Sequence, residues 1–385
     1  MVITYKRKLN FKKIFLKRGN NNIEYFLPNA KCYYSSAVRL GLLDVLSSLY
    51  INFDEYVLIP PICPQGIILP LNKKKINFDF YHLTDFFKID IESVKLQISK
   101  KKIIAIFFIH YFGRFNNQVF ELRKICDQNN ILLFEDGVHG LLSHNENNIK
   151  IGAIGDVSFF SFTKLFPVVD GAIFIVNNKE IMMDFNYKYS LKIFLSRLFH
   201  LHSLIFNNIY SLLNNKLLSK IFKTASLLFY LLYYKLLCFQ NTNVSIAKRS
   251  INILSNIDYN HFINQREALF FLYMHNINPS VIDEELKLGC VTWTGFPIFN
   301  SEIVISKLKE EFKKIGIETL SYVRAWDYMP KSNDFKNERR LLNSHLLLPF
   351  DERIIAFSSD EQMIYFKKIN DIIDKHVNFN SSLKF

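Results

Sequence analysis

CDQNNILLFEDGVHG (residues 126–140) is the stretch on which the reading of this chain turns. Its first residues close an amphipathic helical pattern, NQVFELRKICDQNN (117–130), with apolar side chains at helical spacing. ILLFED (131–136) is a short β-rich run ending in two carboxylates, Glu135 and Asp136, and GVHG follows with His139. Similar runs lie on both sides: EYVLIP (55–60), INFDFYHL (76–83), IIAIFFIHYF (103–112), VSFFSF (157–162) and AIFIVN (172–177). Ahead of them, AVRLGLLDVLSSLY (37–50) has helical spacing. Apolar strands alternating with helices predict an α/β fold with a mostly parallel sheet covered on both faces.

That pattern occupies residues 30–184, read as one large α/β domain behind a basic segment, 1–29. Residues 185–257 differ: they hold no Asp or Glu, yet carry Lys188, Lys192, Arg197, Lys216, Lys220, Lys223, Lys235, Lys248 and Arg249 among aliphatic and aromatic stretches. The uninterrupted apolar runs are shorter than the roughly 20 residues of a membrane span. Two expectations stand for this insert: its helices pack on the protein or on a second subunit with lysines at the edge, or they lie in a membrane interface. Residues 258–385 read as a smaller α+β unit. It contains VTWTGFPIFN (291–300), the helix SEIVISKLKEEFKKIGIET (301–319), the strand HLLLPF (345–350) and a last helix (359–376), with Ser359 and Asp360 as cap candidates.

The chain has 385 residues, 49% hydrophobic and 22% charged, which excludes disorder and low-complexity classes. Its net charge of +13 does not make it a nucleic-acid binder, because the excess concentrates in the N-terminal segment and the acid-free insert. For the N-terminal segment the readings are a frayed basic tail or contact with anionic lipid. Five scattered cysteines with no paired spacing fit a reducing cytosol and support neither disulfides nor a zinc site.

In open α/β sheets, functional groups gather just past the carboxyl ends of the strands. Here those ends offer Asp136 and His139, Ser161 with Lys164 three residues on, and Ser35–Ser36 before the helix at 37–50. The combination matches the needs of pyridoxal 5'-phosphate. Lys164 supplies a Schiff-base amine, Asp136 a carboxylate for the pyridine nitrogen, and Ser35, Ser36, Ser161 and helix-terminal amides a phosphate cradle.

YYSSAVRLGL, VLIPPICP, HYFG (110–113), CDQNNILLFEDGVHG and GDVSFFSFTKLFPVVDGA (155–172) together resemble the fold-type I nucleotide-sugar aminotransferases of the DegT/StrS type. GFPIF, KKIGIET and HLLLPF resemble that family's small C-terminal domain. The resemblance implies a PLP-transferase fold and makes Lys164 the cofactor lysine, Asp136 the partner of the pyridine nitrogen and His139 a neighbour of the phenolic oxygen. Ser161 and the Ser35–Ser36 turn would hold the phosphate, with loop 60–66 over the ring. It further implies a cytoplasmic homodimer that aminates a nucleotide-linked keto-sugar for surface glycan synthesis, with glutamate as the expected donor and no nucleic-acid partner. The chain departs from the pattern in several places. Ser35-Ser36-Ala37 replaces a glycine-rich helix start, Gly171-Ala172 a Gly-Gly pair, and loop 60–66 shows no aromatic stacker. Lys164 argues against the family's dehydratases, which lack this lysine. The alternative is a degenerate relative serving as a membrane-surface scaffold in glycan assembly.

Overall fold

The computed structural model describes residues 19–185, 187–188, 190–212, 216–283, 294–326, 328–350 and 352–377. The basic segment before residue 19, Cys290 and the start of VTWTGFPIFN lie outside the described residues.

The strands of the first half are β1 (Lys31–Ser35), β2 (Glu55–Ile59), β3 (Asn77–Phe80), β4 (Leu83–Thr84), β5 (Lys88–Ile89), β6 (Lys102–Ile109), β7 (Leu132–Asp136), β8 (Val157–Ser161) and β9 (Ala172–Val176). Seven of them form one sheet in the order β1-β9-β8-β7-β6-β2-β3. The pairs from β3 through β8 are parallel, while β9 runs antiparallel to both β8 and β1. The expected mostly parallel sheet is therefore present. Its central strands are apolar throughout because both faces are covered: Phe107, Phe108, Leu133, Phe134, Phe159 and Phe160 have no solvent exposure.

Helices α1 (Val38–Ser48), α2 (Gln65–Lys74), α3 (Ile91–Lys100) and α4 (Gln118–Asn129) fall between these strands. Helix α4 stops where Asn130 adopts a left-handed conformation and its N–H returns to Asp127 and Cys126, turning the chain into β7. INFDFYHL is not one strand. The sheet keeps only Asn77–Phe80, because Tyr81 turns inward to donate its hydroxyl to Phe107 O at 2.9 Å. The carboxylate of Glu338 then takes the Leu83 N–H at 3.0 Å, and Leu83–Thr84 starts a separate pair with Lys88–Ile89.

After β8 comes one helical turn, α5 (Phe162–Leu165). The insert forms two long helices, α6 (Leu191–Leu212) and α7 (Lys216–Cys238), followed by α8 (Lys248–Leu254). The base of the α6–α7 pair shares a small core with α1, formed by Leu40, Leu43, Ile193, Tyr233, Leu237 and Val244. Arg197 pairs with Asp170 at 2.6 Å, and Lys73 donates to Cys238 O at 2.8 Å. The insert thus packs on its own chain along one face.

Helix α9 (Tyr259–Asn276) leads to strands β10 (Gly295–Phe299) and β11 (His345–Pro349), an antiparallel pair separated in sequence by α10 (Glu302–Lys314), α11 (Val323–Trp326) and α12 (Lys336–Asn343). Helix α13 (Ser359–Val377) ends the described chain, and α10 packs against it. Its cap is Ser358, one residue ahead of the expected Ser359 and Asp360. Ser358 and Glu361 exchange hydrogen bonds, Ser358 N–H to Glu361 Oε2 at 2.8 Å and Glu361 N–H to Ser358 Oγ at 3.3 Å.

Candidate active site

Sheet register brings the expected residues to one edge. Ala172 pairs with Ser35 on one side and Ser161 on the other, so three strand ends stand in a row. Deeper in the sheet, Phe159 of β8 faces Asp136 of β7. Gly171, at φ +132°, knots the row together. Its N–H donates to Ser36 O at 2.8 Å, and its carbonyl accepts from Phe162 N–H at 3.0 Å. A Cβ there would strike Phe162 and Ile246 within 2.8 Å, so glycine is required by both conformation and space.

Glu135 and Asp136 are adjacent on a strand and therefore face opposite sides. Glu135 is fully buried and saturated. It meets His110 Nε2 at 2.9 Å and accepts from the amides of Gly152, Ile154 and Gly155 at 3.1, 2.9 and 2.5 Å. Burial pushes its carboxyl up, but His110 and these amides outweigh that and hold it below the usual range. This carboxylate holds the loop before β8. Asp136 is the free-handed one: its Oδ1 accepts the Val138 N–H at 2.9 Å. Burial raises its carboxyl from 3.8 to about 7, against the opposing pull of that amide and the charge of Lys164.

Lys164 keeps solvent-accessible surface although protein atoms surround it. Burial lowers its pKa, Arg39 lowers it further, and Asp136 acts the other way. His139 is buried, and burial together with Lys164 holds its pKa well below the ordinary value, so the ring is neutral. The C-terminal part of the chain reaches into this group. Tyr322 and Trp326 stack at 4.2 Å with 6° between their planes. The His139 ring lies 4.9 Å from Tyr322, and Lys164 Nζ lies 5.9 Å from the Tyr322 centroid. Neither aromatic was singled out from sequence. Loop 60–66 approaches from another side, with Ile62 and Cys63 buried and the Ile62 carbonyl accepting from Tyr111 Oη at 2.5 Å.

The three serines behave differently. Ser35 is buried and committed, its hydroxyl bonding Asn243 Oδ1 at 2.6 Å and Ala37 O at 3.0 Å. Ser161 shares a bond with Thr163 Oγ1 at 3.0 Å. Ser36 Oγ is buried with no hydrogen-bond partner, directly before the N-terminus of α1. An orphaned hydroxyl beside helix-terminal amides is a place for an anion.

Arg39, in the first turn of α1, is a second feature the sequence reading missed. Its guanidinium lies 4.5 Å over the Tyr234 ring and donates to Cys238 Sγ at 2.7 Å, both on α7. Tyr234 Oη donates in turn to Gln65 Oε1 at 2.7 Å. Among the described residues no carboxylate lies within ion-pair distance of Arg39, which leaves a cation near Lys164 uncompensated. An arginine inside the apolar pattern of residues 37–50 was its only signal in sequence.

Residues 40–191 match the DegT/DnrJ/EryC1/StrS aminotransferase family. The match covers less than half of the chain. GDP-perosamine synthase of Vibrio cholerae is 32% identical over 99 residues, which is 25% of this chain and 26% of that protein. The matched stretch therefore spans about a quarter of this relative. Among solved structures, the Helicobacter pylori aminotransferase PseC superposes with a TM-score of 0.63 at 13% identity, covering 97% of this chain and 100% of that one. The aminotransferase TlmJ of Streptoalloteichus hindustanus gives 0.65 at 12% identity, with 97% and 100% covered. At such identities these superpositions show the fold. The shared fold extends across nearly the whole chain.

Proposed function

We propose that this protein is a pyridoxal-phosphate-dependent aminotransferase that converts a nucleotide-linked keto-sugar to an amino-sugar for glycan synthesis, with an amino acid such as glutamate as donor. The observation that carries the reading is the Lys164 amine within electrostatic reach of the buried carboxylate of Asp136, with the orphaned Ser36 hydroxyl directly before the N-terminus of α1. The named relatives agree in class: one is a GDP-perosamine synthase, another an aminotransferase in pseudaminic acid biosynthesis.

The residues fit the cofactor. Ser36, Ser161 and the first amides of α1 would hold its phosphate, and Asp136 its ring nitrogen. A carboxyl pushed up to about 7 is poised to ionise against a cationic partner, and a protonated ring nitrogen is such a partner. Bound there, the protonated ring supplies an electron sink for the pair released when the donor Cα loses its proton. Lys164, an amine whose surroundings favour its neutral form, would hold the cofactor and carry that proton. Neutral His139 offers a hydrogen bond beside the ring. Arg39, with no carboxylate in ion-pair distance among the described residues, suits an anionic group of the incoming substrate, and Tyr322 with Trp326 lie over His139 from the C-terminal side.

We further read the chain as a cytosolic homodimer, with free thiols at Cys32, Cys63, Cys126 and Cys238. Residues 30–184 form its large domain, 185–257 its insert and 258–385 its small domain. The test is a visible spectrum of the protein purified with pyridoxal phosphate. A cofactor band that Lys164→Ala abolishes, together with amino transfer to a nucleotide-linked keto-sugar, is the expected result. No band in a protein with native circular dichroism overturns the proposal.

A further inference from the structure

The α6–α7 pair has its polarity reversed. A helix packed on a water-soluble protein turns its apolar stripe inward and its polar face outward. Here the buried positions of α6 include Ser196, His200, Ser203 and Asn207, and those of α7 include Ser226 and Tyr233. Ser203 Oγ donates to Ser226 O at 2.8 Å and Ser226 Oγ to Ser203 O at 2.9 Å, while His200 stacks on Tyr233 at 4.3 Å. The outward positions carry Phe194, Leu198, Ile221, Leu227, Leu228 and Leu231, each between 38% and 56% exposed. Small polar residues between helices and aliphatic residues outside is the arrangement of helix pairs whose surroundings are lipid.

Charge selects among occupants. Lys188, Lys192, Lys220 and Lys235 are exposed around this face, and residues 185–257 contain no acidic side chain. A second copy meeting the face by two-fold symmetry would set lysines against lysines. An anionic lipid surface complements the same pattern. The pair is also tied down at both ends, by Arg197 to Asp170 and by Tyr210 and Lys223 to Glu318. It therefore lies along the body of the protein. Helix α7 is long and apolar enough to cross a membrane by length and composition, but that tethering matches an interfacial helix pair.

We propose that the outward face of α6 and α7 docks this protein on an anionic phospholipid membrane, the aliphatic residues entering the interface and the lysines meeting lipid phosphates. The test is co-sedimentation of the full chain with phosphatidylcholine vesicles, with and without phosphatidylglycerol. Binding to the anionic vesicles that weakens with salt is expected. Lys192→Gln, Lys220→Gln and Lys235→Gln should each reduce partitioning about fivefold. Leu228→Glu with Leu231→Glu should abolish it while circular dichroism stays native. Absence of wild-type binding, or equal binding by the glutamate variant, overturns the proposal. So does a glutamate variant that converts a dimer to a monomer in sedimentation equilibrium yet still binds vesicles, because the face then belongs to a second copy.

Discussion

Asp136 and Glu135 show how much a single position on a strand decides. The two carboxylates are chemically alike and adjacent, yet Glu135 accepts three loop amides while Asp136 accepts the Val138 N–H and is pushed up to about 7 by burial. In cofactor-free protein this has a consequence for stability. Between pH 3.8 and about 7 the folded chain keeps a proton on Asp136 that the unfolded chain has released. Stability therefore falls as pH rises through that window, by up to about 1.4 kcal/mol per pH unit from this group. Asp136→Asn carries no such proton. Denaturation midpoints of cofactor-free protein at pH 5 and pH 7 should differ less in the variant than in the wild type. An unchanged difference would contradict the burial argument. The serines make the same point about residues: Ser35 and Ser36 are identical neighbours, but only Ser36 has its hydroxyl left unpaired.

At the scale of elements, the cradle depends on how closely α1 approaches the sheet. Gly41 lies where a Cβ would come within 2.3 Å of the Phe174 ring on β9, and Phe174 is fully buried in the central core. Gly41→Ala gains about 1 kcal/mol of helix propensity, but overpacking a rigid core costs about 1–3 kcal/mol. The thermal midpoint is expected to fall, with weaker retention of pyridoxal phosphate because the N-terminus of α1 moves with the helix. A midpoint at or above that of the wild type would mean that the contact relaxes freely. The strand–helix alternation was legible in sequence for a simple reason. Strands covered on both faces must be apolar along their whole length, and such runs stand out between amphipathic helices. The break inside INFDFYHL was not legible, because Glu338, some 255 residues away, makes it.

At the scale of the molecule, the candidate site is assembled from distant parts of the chain. Lys164 and Asp136 come from the large sheet, Tyr322 and Trp326 from beyond residue 320, and the partners of Arg39 from the end of α7. Tyr322→Leu is expected to keep the visible cofactor band and lower kcat/KM about tenfold or more, since it removes the ring beside His139 and Lys164 and leaves the anchoring residues in place. Steady-state kinetics with the spectrum as control checks this. Loss of the band would make Tyr322 part of cofactor binding instead.

The amino-acid sequence by itself determined the alternating α/β order, the strand-end set of Asp136, His139, Ser161 and Lys164, and the acid-free character of residues 185–257. Each of these follows from local rules of burial, spacing or composition. Only the tertiary structure decided that Glu135 supports a loop while Asp136 is left within electrostatic reach of Lys164, that Arg39 leans on α7, and that the outer face of the insert is the apolar one. Those outcomes depend on which surfaces meet. Packing between residues hundreds of positions apart selects among side chains that the sequence presents as equivalent.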